Sequence, residues 1–176
     1  MIAFKKVAVI VTSTRTPRIG TKVAELVKDT ITADTTNSDI DLSLVEVATF
    51  NLPVFDEQII PAQVPAAGSF AHEHSKAWSS EIAKYDAYII VVPEYNRGLS
   101  GGAKNAIDYL YNEWIGKPIS IVSYGGAGPD LVAAMSHGEI GEESRKKWEA
   151  ESETILKAFG ELKELLNAPA PAKTDL

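Results

Sequence analysis

Three glycine-bearing polar turns follow three largely apolar runs in this 176-residue chain: "TSTRTPRIG" after "VAVIV", "PEYNRG" after "AYIIVV", and "SYGGAG" after "ISIV". In the first turn Ser13, Thr14 and Thr16 bring hydroxyl donors, Arg15 and Arg18 bring positive charge, and a following helix would add free amides and the positive end of its dipole. That set describes a cradle for a terminal monophosphate, since a dianion accepts many donors. It is neither the Gly-Lys-Ser/Thr phosphate loop nor the G-x-G-x-x-G dinucleotide pattern. The plain alternative is a capped helix start with solvated arginines.

The second turn has residues suited to the edge of a planar heterocycle. Asn96 and Gly98 permit backbone conformations that expose amides, Tyr95 supplies an aromatic wall, and Gly101 and Gly102 let a flat ligand approach the next helix. An ordinary strand-to-helix turn capped at Ser100 is the competing reading. In the third turn Ser123 and Tyr124 precede Gly125 and Gly126, whose missing side chains allow close contact with a ring. Each turn alone is a weak signal. A phosphate grip beside two ring contacts is the shape of a mononucleotide site.

The elements that must position these turns follow from period and punctuation. Val7 to Val11 reads as a strand covered on both faces. Val23, Val27 and Ile31 recur at every fourth position, which predicts a helix from about Ile19 to Ala33. "IDLSLVEVATF", Ile40 to Phe50, alternates as a half-buried strand does. A proline-bearing loop leads to a helix over about Ser69 to Tyr85, then a strand over Ala87 to Val92, a helix over Gly101 to Trp114 and a fourth strand over Pro118 to Ser123. Strands separated by helices imply a parallel sheet with helices on both faces. In such sheets ligands sit beyond the carboxyl ends of the strands, where all three turns lie. One long charged helix is expected from about Glu142 to Leu166, with Trp148, Ile155, Phe159, Leu162 and Leu166 on a shared face. No fifth parallel strand is countable, because the few residues between Tyr124 and "LVAAM" cannot supply a crossover of about a dozen or more. The expectation is one domain over 1–167 with a frayed tail over 168–176.

Composition bounds the function classes. Seventeen basic residues against 24 acidic give a net charge of -7, which argues against a general nucleic-acid binder. The basic residues are unevenly placed, and up to Lys28 the chain has Lys5, Lys6, Arg15, Arg18, Lys22 and Lys28 against the single acid Glu25. The absence of cysteine excludes thiolate chemistry, disulfides and iron-sulfur ligation, so redox chemistry would need a bound group. With no long apolar run and no leader pattern, the chain reads as soluble and cytoplasmic, without a membrane partner. His72 and His74 flank Glu73, but two-residue spacing on a helix points side chains apart, so they read as surface histidines with no metal role. No G-x-S-x-G elbow supports a serine hydrolase.

The segments "TSTRTPRIG", "LPVFDE", "VVPEYNRGLSGGAKNAIDYL" and "GKPISIVSYGG" together resemble the NADPH-dependent FMN reductase family of flavodoxin-like proteins, which includes quinone and azo-dye reductases. The similarity runs from about Lys6 to Gly126. It implies a three-layer αβα sandwich around a parallel sheet of order 2-1-3-4-5, FMN as cofactor and NAD(P)H as co-substrate. It further implies a small-molecule electron acceptor and a homodimer. Carried over residue by residue, it places the FMN phosphate at Ser13, Arg15 and Arg18 with the amides near Ile19 and Gly20. It places the isoalloxazine ring at Pro93, Glu94, Tyr95, Asn96, Arg97 and Gly98, and at Ser123, Tyr124, Gly125 and Gly126. The flavin carries the chemistry, so no general acid or base is assigned. The chain departs from the family after Gly126, where a helix and a fifth strand are missing. A flavin-binding electron carrier or redox-sensing module is the alternative from another class.

Overall fold

β1 (Lys5–Val11) has a neighbour on each edge and a core on each face, which is why its sequence is apolar without interruption. Val7, Val9 and Val11 point into one core, while Ala8 and Ile10 point into the other. The structure, a computed structural model, describes residues 4–65, 69–125 and 137–169. β1 pairs in parallel with β2 (Ile40–Glu46) from Lys5↔Ile40 to Val11↔Glu46, and with β3 (Ala87–Tyr95) from Val7↔Ala87 to Val11↔Val91. A further strand, Ile119–Tyr124, pairs in parallel with β3 from Tyr88↔Ile119 to Pro93↔Tyr124. The parallel part of the sheet therefore has four strands among the described residues, as the spacing predicts. A two-residue strand, β4 (Gly98–Leu99), folds back antiparallel on the end of β3, so the whole sheet is mixed and has five strands. Ile119–Tyr124 is accordingly β5.

Helices cover both faces. α1 (Gly20–Ala33) buries Val23, Val27 and Ile31, the residues whose period predicts it. Ile155, Phe159 and Leu162 join it in the same core. The long terminal helix expected from Glu142 to Leu166 is two helices, Glu142–Ala150 and Ser152–Asn167, because Glu151 leaves helical geometry at φ -88°, ψ 6°. On the other face α2 (Glu73–Ile82) and α3 (Gly101–Asp108) pack over a core that contains Trp78, Ile82, Tyr88 and Tyr109.

Several boundaries are shorter than periodicity implies. β2 ends at Glu46, and Val47–Phe50 is a 3-10 turn that closes on Asn51 in the left-handed region. α2 begins at Glu73 rather than near Ser69, since the Glu57 carboxylate accepts from the amides of Ala71 and His72 at 2.9 and 3.0 Å and holds the approach extended. α3 stops at Asp108 because Leu110 N–H turns back to Ile107 O, at 3.2 Å, in place of the helical partner. β3 runs on to Tyr95, since Glu94 and Tyr95 pair with Leu99 and Gly98. The "LVAAM" segment, the junction after Gly126 and the terminal residues 170–176 lie outside the described residues.

The two faces of β5 differ sharply. Val122 and Tyr124 pack toward α1, whereas Ile119 and Ile121 lie on the α2 and α3 side and are 42% and 62% exposed. Parallel partners point to the same face, so these isoleucines continue the row of Tyr88 and Ile90 past the limit of the core.

Candidate functional site

The carboxyl ends of β1, β3 and β5 bring the three turns together, and glycines mark where they touch. A Cβ on Gly20 would lie 2.1 Å from Ser13 Oγ and 2.7 Å from the Tyr124 hydroxyl. A Cβ on Gly125 would lie 2.6 Å from Glu94 Cβ. A Cβ on Gly102 would lie 3.0 Å from both ends of the Thr14 side chain. The first turn thus meets the third at Gly20, the second meets the third at Gly125, and the first meets α3 at Gly102. At Gly102 the missing side chain makes room for Thr14 of the first turn.

Anchoring starts beneath the turns. Thr12 is buried and binds Val91 O through both its amide, at 3.1 Å, and its hydroxyl, at 2.8 Å, which ties the end of β1 to the end of β3. Ser13 follows at 3% exposure, and its Oγ makes no well-formed hydrogen bond among the described residues. The Tyr124 hydroxyl is near enough to Ser13 to be influenced by it, without reaching full hydrogen-bond geometry. Burial, joined by the nearby Tyr95 phenol, raises the pKa of Tyr124, opposed by Ser13 and by the charges of Arg15 and Arg18. α1 begins with no side-chain cap at Ile19 and no acid in its first turn. At the first residue of α1 there thus meet an orphaned buried hydroxyl and a phenol, with Arg15 and Arg18 in the turn just before it.

The arginines differ. Arg15 is exposed and has no ion pair among the described residues. Arg18 is held by Glu46 at 2.5 Å, and the same carboxylate accepts from Thr21 Oγ1 at 2.8 Å. A lone acid at a strand end gives no sequence signal, and Glu46 was not among the expected residues.

The second turn is a hairpin, which the sequence reading did not anticipate. Asn96 and Arg97 have φ of 52° and 62°, the left-handed pair that a tight two-residue β-turn requires. The special backbone thus lies at Asn96 and Arg97, and Gly98 is an ordinary strand residue on which a Cβ would come no closer than 4.0 Å to Tyr95 O. Pro93 is buried, while Glu94, Tyr95, Asn96, Arg97 and Gly98 are exposed on one rim with Ser123 and Gly125. Gly126 lies outside the described residues. α3 starts as expected, with Ser100 Oγ accepting from Ala103 N–H at 3.3 Å.

Asn105, within "KNAID", does structural work that its spacing does not announce. Its Oδ1 accepts from Phe55 N–H at 3.1 Å and its Nδ2 donates to Pro53 O at 2.6 Å, clipping "LPVFDE" to α3. The two histidines also differ from expectation. His72 is the extended residue before α2, so its ring stacks on that of His74 at 5.2 Å instead of pointing away. His74 Nε2 and the Tyr109 hydroxyl both bind Asp56 Oδ1, at 2.9 and 2.8 Å.

A profile of the family described as NADPH-dependent FMN reductase matches residues 5–137. The chain belongs to this family. An NAD(P)H-dependent FMN reductase of Nectria sp. is 42% identical over 198 residues, covering 93% of this chain and 98% of the relative. That alignment is longer than the chain, so it includes positions that this family member lacks. An NAD(P)H-dependent FMN reductase of Saccharomyces cerevisiae is 36% identical over 76% of this chain and 74% of its own length. Among solved structures, an oxidoreductase of Corynebacterium diphtheriae superposes with a TM-score of 0.60 over 93% of this chain and 97% of that one, at 16% identity. The α/β architecture of the family is thus shared where sequence similarity is low.

The site fits the family's cofactor at its phosphate end. Among the described residues a buried hydroxyl without a partner, beside uncapped helix amides and an arginine without an ion pair, is a donor set that lacks an acceptor. No helix of the described residues is long and apolar enough to cross a membrane.

Proposed function

We propose that this chain is an FMN-dependent NAD(P)H oxidoreductase that reduces small-molecule acceptors of the quinone, flavin or azo class. The observation that carries the reading is the convergence on Gly20, where Ser13, Tyr124 and the start of α1 meet with no bonded acceptor. The relatives named above support it, as does a quinone reductase of Pseudomonas putida that is 36% identical over 66% of this chain.

Ser13, Arg15 and the amides at Ile19 and Gly20 would hold the phosphate, with Arg18 contributing field from its place on Glu46. The left-handed residues Asn96 and Arg97 would turn backbone amides toward the ring edge, and Tyr95 would wall it. FMN, when bound, supplies the capacity to accept hydride from NAD(P)H and return electrons to an acceptor. The chain's own part is to orient: Thr12 fixes the first turn to β3, the β3–β4 hairpin sets the rim, and Glu94 against Gly125 sets the spacing to the third turn. A cytoplasmic homodimer is part of this reading. The pairing of two copies is supported by exposed Ile60, Tyr111 and Ile115 around an apolar cleft of about 470 Å³ beside α3.

Purified protein should carry or take up FMN with one equivalent per chain and oxidise NAD(P)H faster when a quinone is added. A flavin-loaded protein without turnover would favour a carrier, and a protein that refuses FMN would remove the proposal.

A further inference from the structure

We infer that Tyr124 selects the phosphorylated flavin: its hydroxyl, set beside Ser13 Oγ over Gly20, donates to the ligand's phosphate and does not wall its ring. This rests on the flavin-binding reading above, and it moves the Tyr124 hydroxyl from the ring, where resemblance places it, to the phosphate at the start of α1.

The direction of the side chain comes from register. Tyr124 closes β5 opposite Pro93, and residues two apart on a strand share a face. Val122 and Tyr124 therefore both lie on the α1 side, and both pack in the core that holds Val23 and Val27. Ser123 points the other way and is exposed. Length then decides where the hydroxyl falls. It reaches 2.7 Å from where a Gly20 Cβ would be, at the first residue of α1, and Ser13 Oγ approaches the same point to 2.1 Å. Glycine at this position is what lets two hydroxyls occupy the mouth of an uncapped helix.

Among the described residues the two hydroxyls have only each other: Ser13 Oγ is buried without a well-formed partner, and the Tyr124 hydroxyl lies near enough to act on it short of full hydrogen-bond geometry. A tyrosine retained only for its ring would leave Ser13 with nothing to serve. Burial keeps Tyr124 protonated at neutral pH, so it can donate to an anion. Tyr95, Arg15 and Arg18 all stand close enough to act on its ionisation, so the phenol lies between the ring wall and the arginines, and it is the contact at Gly20 that places its hydroxyl at the start of α1. The ring wall remains available from Tyr95, which is 42% exposed on the hairpin rim.

The test compares FMN with riboflavin, which differ by the phosphate. Dissociation constants for both are measured by flavin-fluorescence quenching on flavin-free wild type and Tyr124→Phe. The expected result is about a tenfold or greater loss for FMN, the scale of a hydrogen bond to a charged group, and no change for riboflavin. Equal losses for the two ligands, or none for FMN, overturn the inference while leaving FMN binding intact. Wild type that binds neither flavin overturns the parent reading and this one with it. A second measurement needs no variant. In wild type labelled at tyrosine Cζ, one of the six tyrosine signals should move with FMN and with inorganic phosphate but not with riboflavin. Absence of such a signal also overturns the inference.

Discussion

Arg18 Nη2 lies 2.5 Å from Glu46 Oε2, which joins the first turn to the end of β2. Arg15, three residues earlier, has no such partner among the described residues. Two arginines that look alike in sequence therefore have separable roles. Arg15→Ala should weaken FMN by about 1.5–3 kcal/mol and leave riboflavin unchanged, as removal of a charge-assisted contact would. Arg18→Ala should instead lower fold stability by about 1 kcal/mol, because the pair is only partly exposed and Glu46 keeps Thr21. Calorimetric titration and urea denaturation of both variants separate the two effects. Stability loss confined to Arg15→Ala would contradict this division.

Gly125→Val and Gly98→Ala should behave differently. A side chain at Gly125 meets Glu94 at 2.6 Å, so the second and third turns must part. Flavin occupancy, read from visible absorbance, should fall while far-UV circular dichroism is unchanged. Gly98 has open space in the chain, so Gly98→Ala should alter stability by less than about 0.5 kcal/mol. Equal thermal destabilisation of the two variants would show that the contact at Gly125 is unimportant.

Asp56 links the 51–65 loop to α2 and α3. Burial raises its pKa, but hydrogen bonds from His74 and Tyr109 outweigh that and hold it below its ordinary 3.8. A carboxyl depressed in the folded state stabilises the fold above the unfolded value and loses that contribution as pH falls through the folded one. Asp56→Asn should therefore be less stable than wild type at pH 7, with the gap closing below about pH 4. Melting temperatures across pH 3–7 check this, and a gap that stays constant would rule out ionisation as its source.

Phe159 is 3% exposed in the core between the last helix and α1. Phe159→Ala should cost about 3–5 kcal/mol by lost burial and the cavity left behind. Urea unfolding followed by tryptophan fluorescence measures it. A cost under about 1 kcal/mol would mean that the terminal helix is not integral to the core.

The parallel strands and α1 were legible because buried runs and a four-residue period are local properties. β1 reads as doubly covered from "VAVIV" alone, and Val23, Val27 and Ile31 mark the buried face of α1. The hairpin at Asn96 and Arg97 was less visible, although Asn at the first turn position is a recognised signal. The break at Glu151 was hidden because Ile155, Phe159 and Leu162 keep their helical period beyond it. Within the site, residue types pointed to the turns, but the use of each residue depends on contacts distant in sequence. Glu46 lies 28 residues from Arg18, and Tyr124 is brought to Gly20 by strand register.

Ile119 and Ile121 have a practical consequence for anyone handling the protein. Among the described residues β5 bonds only to β3, and it carries no charge between Ile119 and Tyr124. Natural sheets usually place lysine, proline or a bulge where a border strand would otherwise recruit another chain. This border has a proline only at its entrance, Pro118, and its most exposed aliphatic side chain sits near its middle. Shelf life at high concentration should accordingly be limited by colloidal growth through this strand. Ile121→Lys should raise the concentration at which light scattering begins, with little change in melting temperature.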